Sequence, residues 1–282
     1  MPELPEVETV RRGLEPVLVG NAFARVEQRR PDLRFPLPKR FGERLTGRKV
    51  KALDRRAKYL LAKLDDGEVL VMHLGMTGRF AINGAVKTPP PKHEHIVFHL
   101  GDGTRLRYSD ARRFGYMDLI PTKTLDSHAL FKGLGVEPLS SAFTPEWLAM
   151  RLKGKATSIK AALIDQRLIA GLGNIYACEA LFCAGISPRR LAGTLATASG
   201  NPTPKTKALV AAVKAVLEDA IKAGGSTLRD YKRADGRVGR FQMRFKIYGR
   251  EGKPCAKKGC GGTVRRIVQG GRSTFYCPTC QR

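Results

Sequence analysis

Four cysteines near the end of the chain are spaced to hold a metal. Cys255, Cys260, Cys277 and Cys280 form C-x4-C-x16-C-x2-C, two close pairs that can converge on one tetrahedral ion from the tips of two β-turns. Four thiolates leave no open coordination position, so the spacing predicts one structural zinc. Unliganded thiols would not be expected in two pairs inside a Gly-rich, core-poor segment that needs a staple to fold. Cys178 and Cys183 lie in an apolar helical stretch and read as packing residues. The opposite end of the chain offers a nucleophile. Glu3, Glu6 and Glu8 crowd the first eight residues of an otherwise basic chain. If Met1 is trimmed, Pro2 bears a secondary amine with a reference pKa of about 8. Such an amine attacks a sugar C1′ or an aldehyde to give an iminium that cannot lose a proton to become neutral, a persistent electron sink, with Glu3 beside it to move protons. Most chain termini are frayed and inert, so composition alone does not carry this reading.

Two further constellations suit phosphate. Gly171-Leu172-Gly173-Asn174 precedes a helix, with Asn174 as its expected N-cap and unpaired amides facing whatever approaches; plain helix capping explains the same residues. A dinucleotide fingerprint is excluded because the segment before the glycines reads as helix, not strand. Arg265, Arg266 and Arg272 lie between the cysteine pairs and would project from a ribbon hairpin, which by itself would still bind nucleic acid nonspecifically. His93 and His95, two apart on a strand, form a metal pair only if a third ligand exists, and none is evident.

The elements that must position these groups follow from pattern. The 282 residues, at about 150 per domain, suggest about two domains. The 51 Lys+Arg against 25 Asp+Glu give +26, and residues 222–282 alone carry +13. A block this basic meets polyanion; it lacks the amphipathic basic helix that a membrane surface would need. With 42% hydrophobic residues the chain can bury real cores. There is no apolar run long enough for a membrane span and no signal-peptide pattern at the start, which predicts a cytoplasmic, nucleoid-associated protein with reduced cysteines. Helical spacing of Val7, Val10, Leu14, Val17 and Leu18 predicts a first helix entered at Pro5, ending near Gly20 and kinked at Pro16. Eight β-like runs follow: 23–30, 50–55, 59–64, 69–74, 79–82, 96–100, 105–108 and 116–120. Hairpin turns are read at Asp66-Gly67 and Asp102-Gly103. Together these make an antiparallel β-sandwich or barrel. From Pro145 the pattern turns helical, over 146–152, 159–164, 174–184 and 205–222, with 140–145 as a hinge and loops and short strands after Gly224-Gly225. The proline-rich 88–92 reads as a loop.

Six separated motifs, in order along the whole chain, carry a resemblance: PELPEVETVRRGLEP at the start, RRAKYLL at 55–61, HLGMTG at 73–78, DARRFG at 110–115, GLGNIYACEALF at 171–182 and the terminal RSTFYCPTCQ. In these the chain resembles the bacterial formamidopyrimidine-DNA glycosylases. The resemblance implies an α+β architecture of N-terminal helix plus antiparallel β-sandwich, helix-two-turn-helix bundle and C-terminal zinc ribbon, divided as 1–139, 140–239 and 240–282. It implies a bifunctional glycosylase and abasic-site lyase that removes 8-oxoguanine and formamidopyrimidines from duplex DNA and then cuts the strand by β- and δ-elimination. By motif, Pro2 would be the Schiff-base nucleophile, Glu3 the proton donor, Lys58 the β-elimination group and Arg272 a phosphate ligand assisting δ-elimination. Because no amine reaches C1′ within the stack, the base must be flipped and the gap filled. That task falls to Met76, Arg112 and Phe114, with Arg112 facing the orphaned cytosine; taken singly, Met76 and Phe114 read as core and Arg112 as surface charge. His93, Lys155, Lys160 and Asn174 would contact DNA. Glu6 and the segment Ser226, Thr227, Leu228, Tyr231 would meet the damaged purine, with Gly224 and Gly225 as hinge. The implied enzyme is a monomer acting on double-stranded DNA with oxidised purines or abasic sites, holding one zinc and needing neither magnesium nor nucleotide.

Two departures from the family pattern stand out: the first cysteine pair is C-x4-C where C-x2-C is commonest, and Ala111 stands where proline is frequent, which predicts a looser wedge loop. The endonuclease VIII type, which favours oxidised pyrimidines, usually begins PEGPE, whereas Leu4 gives PELPE. A zinc-ribbon DNA-binding protein without catalysis is the alternative from another class; Pro2, Glu3, Lys58 and Arg272 together speak against it.

Overall fold

The computed structural model describes residues 1–83, 91–226 and 241–282. The chain divides into two compact units: Met1–Lys132 with the described part of Ala223–Gln242, and Gly133–Lys222 with Met243–Arg282.

In the first unit, helix α1 (Leu4–Leu18) begins with Pro5 in its first turn and a capping-box arrangement of Glu3 and Glu6, and runs unbroken past Pro16. Strands β1 (Phe23–Gln28), β2 (Val50–Arg56), β3 (Tyr59–Leu64), β4 (Glu68–His73), β5 (Arg79–Ile82), β6 (Glu94–Leu100), β7 (Arg105–Ser109) and β8 (Tyr116–Pro121) follow, with the five-residue helix α2 (Phe41–Leu45) between β1 and β2. They form two four-stranded antiparallel sheets, ordered β1-β6-β7-β5 and β2-β3-β4-β8. One apolar core joins them: Phe23, Phe98, Leu106 and Tyr108 from the first sheet meet Leu53, Leu60, Leu70 and Met117 from the second, with Val7, Val10, Leu14 and Leu18 of α1. In β3 and β4 the alternation is incomplete, since Leu61, Val69 and Val71 on the other face are also buried. The Asp-Gly turns form as read: Gly67 and Gly103 take φ of +87° and +85°. Each aspartate accepts an amide two residues on, from Glu68 at 3.0 Å and Thr104 at 2.9 Å. His93 sits in the turn before β6, exposed, and not on the strand.

The second unit holds α3 (Pro145–Leu152), α4 (Ile159–Ile164), α5 (Asn174–Cys183) and α6 (Pro204–Lys222), then the hairpin β9 (Arg265–Gln269) and β10 (Arg272–Tyr276). Thr144 and Ser158 cap α3 and α4 through their hydroxyls. α5 is buried almost throughout and packs on α6 and β10. Among the described residues no helix is long and apolar enough to cross a membrane. Residues 84–90, with Pro89 and Pro90, and 227–240, with Thr227, Leu228 and Tyr231, lie outside the described residues.

Candidate active site

The start of the chain is built into the first unit rather than frayed from it. Pro2 is buried, Glu3 is 4% and Glu6 2% exposed, and Met1 alone points out. Burial pushes the Met1 amine, one residue before Pro2, below its ordinary pKa; Glu3 and Glu6 oppose that, while Lys58 and Arg112 reinforce it. Four charged groups from three separated sequence segments therefore act on one amine. The Glu6 carboxylate accepts the Glu3 amide at 2.9 Å through one oxygen and the Ser226 amide and hydroxyl at 2.8 and 3.0 Å through the other.

Lys58 reaches this place from a two-residue turn. Arg56 pairs with Tyr59, so Ala57 and Lys58 alone join β2 to β3, and Ala57 takes φ +53°, a conformation that costs a residue with a Cβ. Lys58 is 6% exposed. Beside it, His73 stacks on Tyr116 with centroids 5.0 Å apart and accepts the Gly75 amide on Nδ1 at 3.0 Å. Burial, then Lys58 and Arg34, lower the His73 pKa to about 4. The folded imidazole therefore stays neutral at pH 5–6, where the unfolded one takes up a proton. On account of His73 the folded state should lose at most about 3 kcal/mol as pH falls from about 6.5 to about 4, and below that window carboxyls held low by their arginines, Glu8 among them, add a further loss. Urea unfolding across pH 4–7.5 checks this, with His73→Gln expected to flatten the slope.

Two loops carry the wedge residues. Met76 is 38% and Phe114 40% exposed, so neither is core, and the Arg112 guanidinium lies 4.6 Å from the Phe114 ring centroid. Large apolar side chains held out in this way suit contact with another molecule. The loops are fixed by Asp110, fully buried, which accepts the Thr77 hydroxyl on one oxygen and, on the other, the Gly115 amide at 2.8 Å. Thr77 in turn accepts the Arg112 amide at 3.0 Å. A Cβ on Gly75 would lie 2.2 Å from the Phe114 carbonyl carbon, so the loops touch backbone to backbone. Asp110 thus ties down the loop in which Ala111 departs from the family pattern. His93 joins the same arrangement through its carbonyl, which accepts the Asp110 amide at 3.0 Å. His95 is buried with Nε2 2.8 Å from the Asp110 carbonyl oxygen, and among the described residues the two histidines belong to no metal cluster.

In the second unit Asn174 is the first residue of α5, not its cap; Gly173 caps. The Asn174 amide is committed instead to the Ser273 carbonyl of β10 at 2.8 Å. Gln166 shapes the loop before it, accepting the Gly171 amide at 2.9 Å and donating to Leu172 at 2.8 Å. Lys155 is exposed. Lys160 is not on the surface that a DNA contact implies: it is 0% exposed in α4, packed with the apolar face of that short helix. Arg265, Arg266 and Arg272 are exposed on the hairpin, Arg272 next to the Gly270-Gly271 turn.

The four sulfur atoms of Cys255, Cys260, Cys277 and Cys280 lie within 4.8 Å of one another, with Cys255–Cys280 and Cys260–Cys277 at 3.7 Å. A tetrahedron with Zn–S of about 2.3 Å has edges of about 3.8 Å, so the cluster fits one structural zinc. The longer first knuckle closes by placing Gly259 and Gly261 at φ +73° and +64°. Cys178 packs beside this cluster, whereas Cys183 is exposed and is not the packing residue its helix suggested. Glu179 escaped the sequence reading: buried mid-helix, it accepts the Lys246, Ile247 and Tyr248 amides at 3.0, 3.0 and 2.8 Å, and burial raises its pKa.

A two-sheet unit with acids and a lysine gathered at a buried Pro2, and a second unit with a helical bundle and a four-cysteine ribbon, is the arrangement expected of a DNA glycosylase of the zinc-ribbon class, and the comparisons with known proteins bear that class out. Family models for the formamidopyrimidine-DNA glycosylase N-terminal domain, its H2TH domain, and the zinc finger found in FPG and IleRS match residues 1–117, 134–232 and 252–282. Formamidopyrimidine-DNA glycosylases of Beijerinckia indica and Azorhizobium caulinodans are 59% and 56% identical, each over the whole of both chains. The MutM (Fpg) structure from Thermus thermophilus is 42% identical with a TM-score of 0.84, covering 99% of this chain and 98% of that one. A Lactococcus lactis Fpg mutant bound to Fapy-dG-containing DNA is 34% identical with a TM-score of 0.88 over all of both chains. The chain belongs to the formamidopyrimidine-DNA glycosylase family, whose activity is that of a DNA glycosylase and abasic-site lyase.

Proposed function

We propose that the chain excises oxidised purines, 8-oxoguanine and formamidopyrimidines, from duplex DNA through a Schiff base at Pro2 and then nicks the strand by β,δ-elimination. The observation that carries this reading is the gathering of Glu3, Glu6, Lys58 and Arg112 about the start of the chain, where Pro2 is buried next to the exposed Met1. Freed from Met1, the Pro2 nitrogen attacks C1′ of the flipped nucleotide; the bond from C1′ to the base breaks and the base leaves with a proton. Glu3 is placed to deliver protons as the sugar ring opens, giving the iminium. The iminium acidifies C2′–H; Lys58 assists removal of that proton as the 3′ phosphate leaves, and Arg272 binds phosphate as the 5′ phosphate leaves in turn. Met76 and Phe114 fill the gap, and Arg112 offers paired hydrogen bonds to the widowed cytosine. The damaged base would be met by Glu6, Ser226, Thr227, Leu228 and Tyr231, and phosphates by His93, Lys155 and, through the amides at the start of its helix, Asn174. Zinc, when bound by the four cysteines, holds the ribbon's shape, and the three divisions 1–139, 140–239 and 240–282 serve catalysis, DNA gripping and ribbon binding in the bacterial nucleoid.

The Lactococcus lactis relatives were crystallised with Fapy-dG, oxidised-pyrimidine and abasic-site DNA, and competition between 8-oxoguanine and an oxidised pyrimidine would rank these for this chain. The decisive test is borohydride trapping on a duplex with one 8-oxoguanine opposite cytosine, followed by peptide mapping. An adduct at Pro2, absent with undamaged duplex, is the expected result. Tight salt-dependent binding with neither adduct nor cleavage would overturn the reading in favour of a DNA-binding protein.

A further inference from the structure

The residues of the first unit place a serine from late in the chain against the carboxylate that organises its start. Ser226 is 5% exposed and spends both its amide and its hydroxyl on a single Glu6 oxygen. The second Glu6 oxygen holds the Glu3 amide, one peptide from the Pro2 ring. The contact spans 220 residues of sequence, so it is tertiary design and not local capping. Gly225 makes the approach possible. At φ +77°, a Cβ there would lie 3.2 Å from both Cγ and Oε1 of Glu6 and 3.3 Å from its Cα. Gly224 is also left-handed, at φ +78°, and the Gly225 carbonyl accepts the Phe241 amide at 3.1 Å, which fixes the turn from its far side. Two consecutive left-handed glycines followed by a doubly donating serine amount to a built clamp on one carboxylate.

We infer that Gly225 and Ser226 are positioning residues for the Pro2 nucleophile, acting through Glu6 and the Glu3 amide, beyond any contact Ser226 makes with the damaged base. The inference rests on the Pro2 reading above. Its physical basis is that a Glu6 carboxylate fixed only by the first turn of α1 could choose among rotamers, whereas three donors on two oxygens leave one. The Glu3 amide is then held in one place, and with it the direction of the Pro2 nitrogen. Attack at C1′ needs that direction whether or not a base is still attached.

Preformed abasic sites separate this role from base recognition, because they contain no base to recognise. The experiment is single-turnover borohydride trapping on duplex with one abasic site and, in parallel, with one 8-oxoguanine, using the full-length zinc-loaded protein, Ser226→Ala, Ser226→Thr and Gly225→Ala. Ser226→Ala should slow adduct formation about tenfold on both substrates, while the dissociation constant for abasic DNA changes less than about twofold. Ser226→Thr, which keeps the hydroxyl, should recover most of the rate, and Gly225→Ala should lose more than Ser226→Ala. Slowing confined to the 8-oxoguanine duplex would overturn the inference and leave Ser226 as a base contact only; so would unchanged rates on both. Weakened abasic-DNA binding with an unchanged trapping rate would also overturn it. If the unsubstituted protein forms no adduct with either duplex, the Pro2 reading fails first and this inference falls with it.

Discussion

A chain that keeps Met1, or carries one extra residue before Pro2, should form no borohydride adduct and cut damaged duplex at least about a thousandfold more slowly. An acylated proline nitrogen has no available lone pair. The amine that replaces it is primary and sits one residue before the proline nitrogen. Those groups are specific: Glu3 and Glu6 are 4% and 2% exposed, Lys58 is 6% exposed, and Pro2 is itself buried. Met1 by contrast is half exposed, so retaining it need not unfold the unit, and affinity for damaged DNA should stay within about threefold. The comparison pairs protein treated with methionine aminopeptidase against protein with a blocked start, read by adduct yield and by nicking. Equal nicking by both forms would show that the nucleophile lies elsewhere, Lys58 being the next amine in reach of the site.

Most of the scaffold was legible because it rests on short-range pattern. Period-two runs and two Asp-Gly turns place all eight strands of the first unit to within about two residues, and the ends of α3 to α6 are read as closely. The five-residue α2 was missed; it has too few turns to show a period, and Arg40 before it takes φ +55° where no glycine gives a signal. The site was legible as residue types and illegible as wiring. Asn174 looked like a cap because nothing local reveals that its side chain is taken by Ser273, 99 residues away. Lys160 was expected to contact DNA, and sequence carries no mark of which lysine folds inward. Asp110 accepts from the Thr77 hydroxyl and the Gly115 amide, and Glu179 from three amides some 67 to 69 residues on; an acidic residue bound to backbone amides leaves no partner residue type in the sequence. Family motifs could name Glu6 and Ser226; only the fold shows them bonded to each other.

Removing one zinc ligand, by Cys260→Ala, should release one zinc per chain, melt the ribbon and lower affinity for damaged duplex by about a hundredfold, while the two sheets stay folded. The apolar cluster under the ribbon holds Cys178, Phe182, Ile247, Val264 and Cys277 as its buried members, with Cys255, Cys260 and Cys280 among those packed at its edge. Four of these are the zinc ligands themselves, so the hairpin Arg265–Tyr276 has almost no core of its own. A segment of this kind draws its stability from the metal, for which binding energies of roughly 10 kcal/mol or more are ordinary. Its loss carries away the exposed Arg265, Arg266 and Arg272, three of the charges on the most basic stretch of the chain, so the salt dependence of DNA binding should become shallower along with the affinity. The melting has a predictable limit. Lys246, Ile247 and Tyr248 are fastened to the Glu179 carboxylate, whose helix packs on α6 as well as on the ribbon. Hydrogen exchange should therefore accelerate at Arg265–Gln269 and Arg272–Tyr276 and stay slow at the three amides that Glu179 holds. If those hairpin amides remain protected and DNA affinity survives after the metal is gone, the zinc is not structural. If protection at 246–248 collapses together with the hairpin, the Glu179 anchor is weaker than three amides on one buried carboxylate imply, and the ribbon and α5 unfold as one cooperative unit.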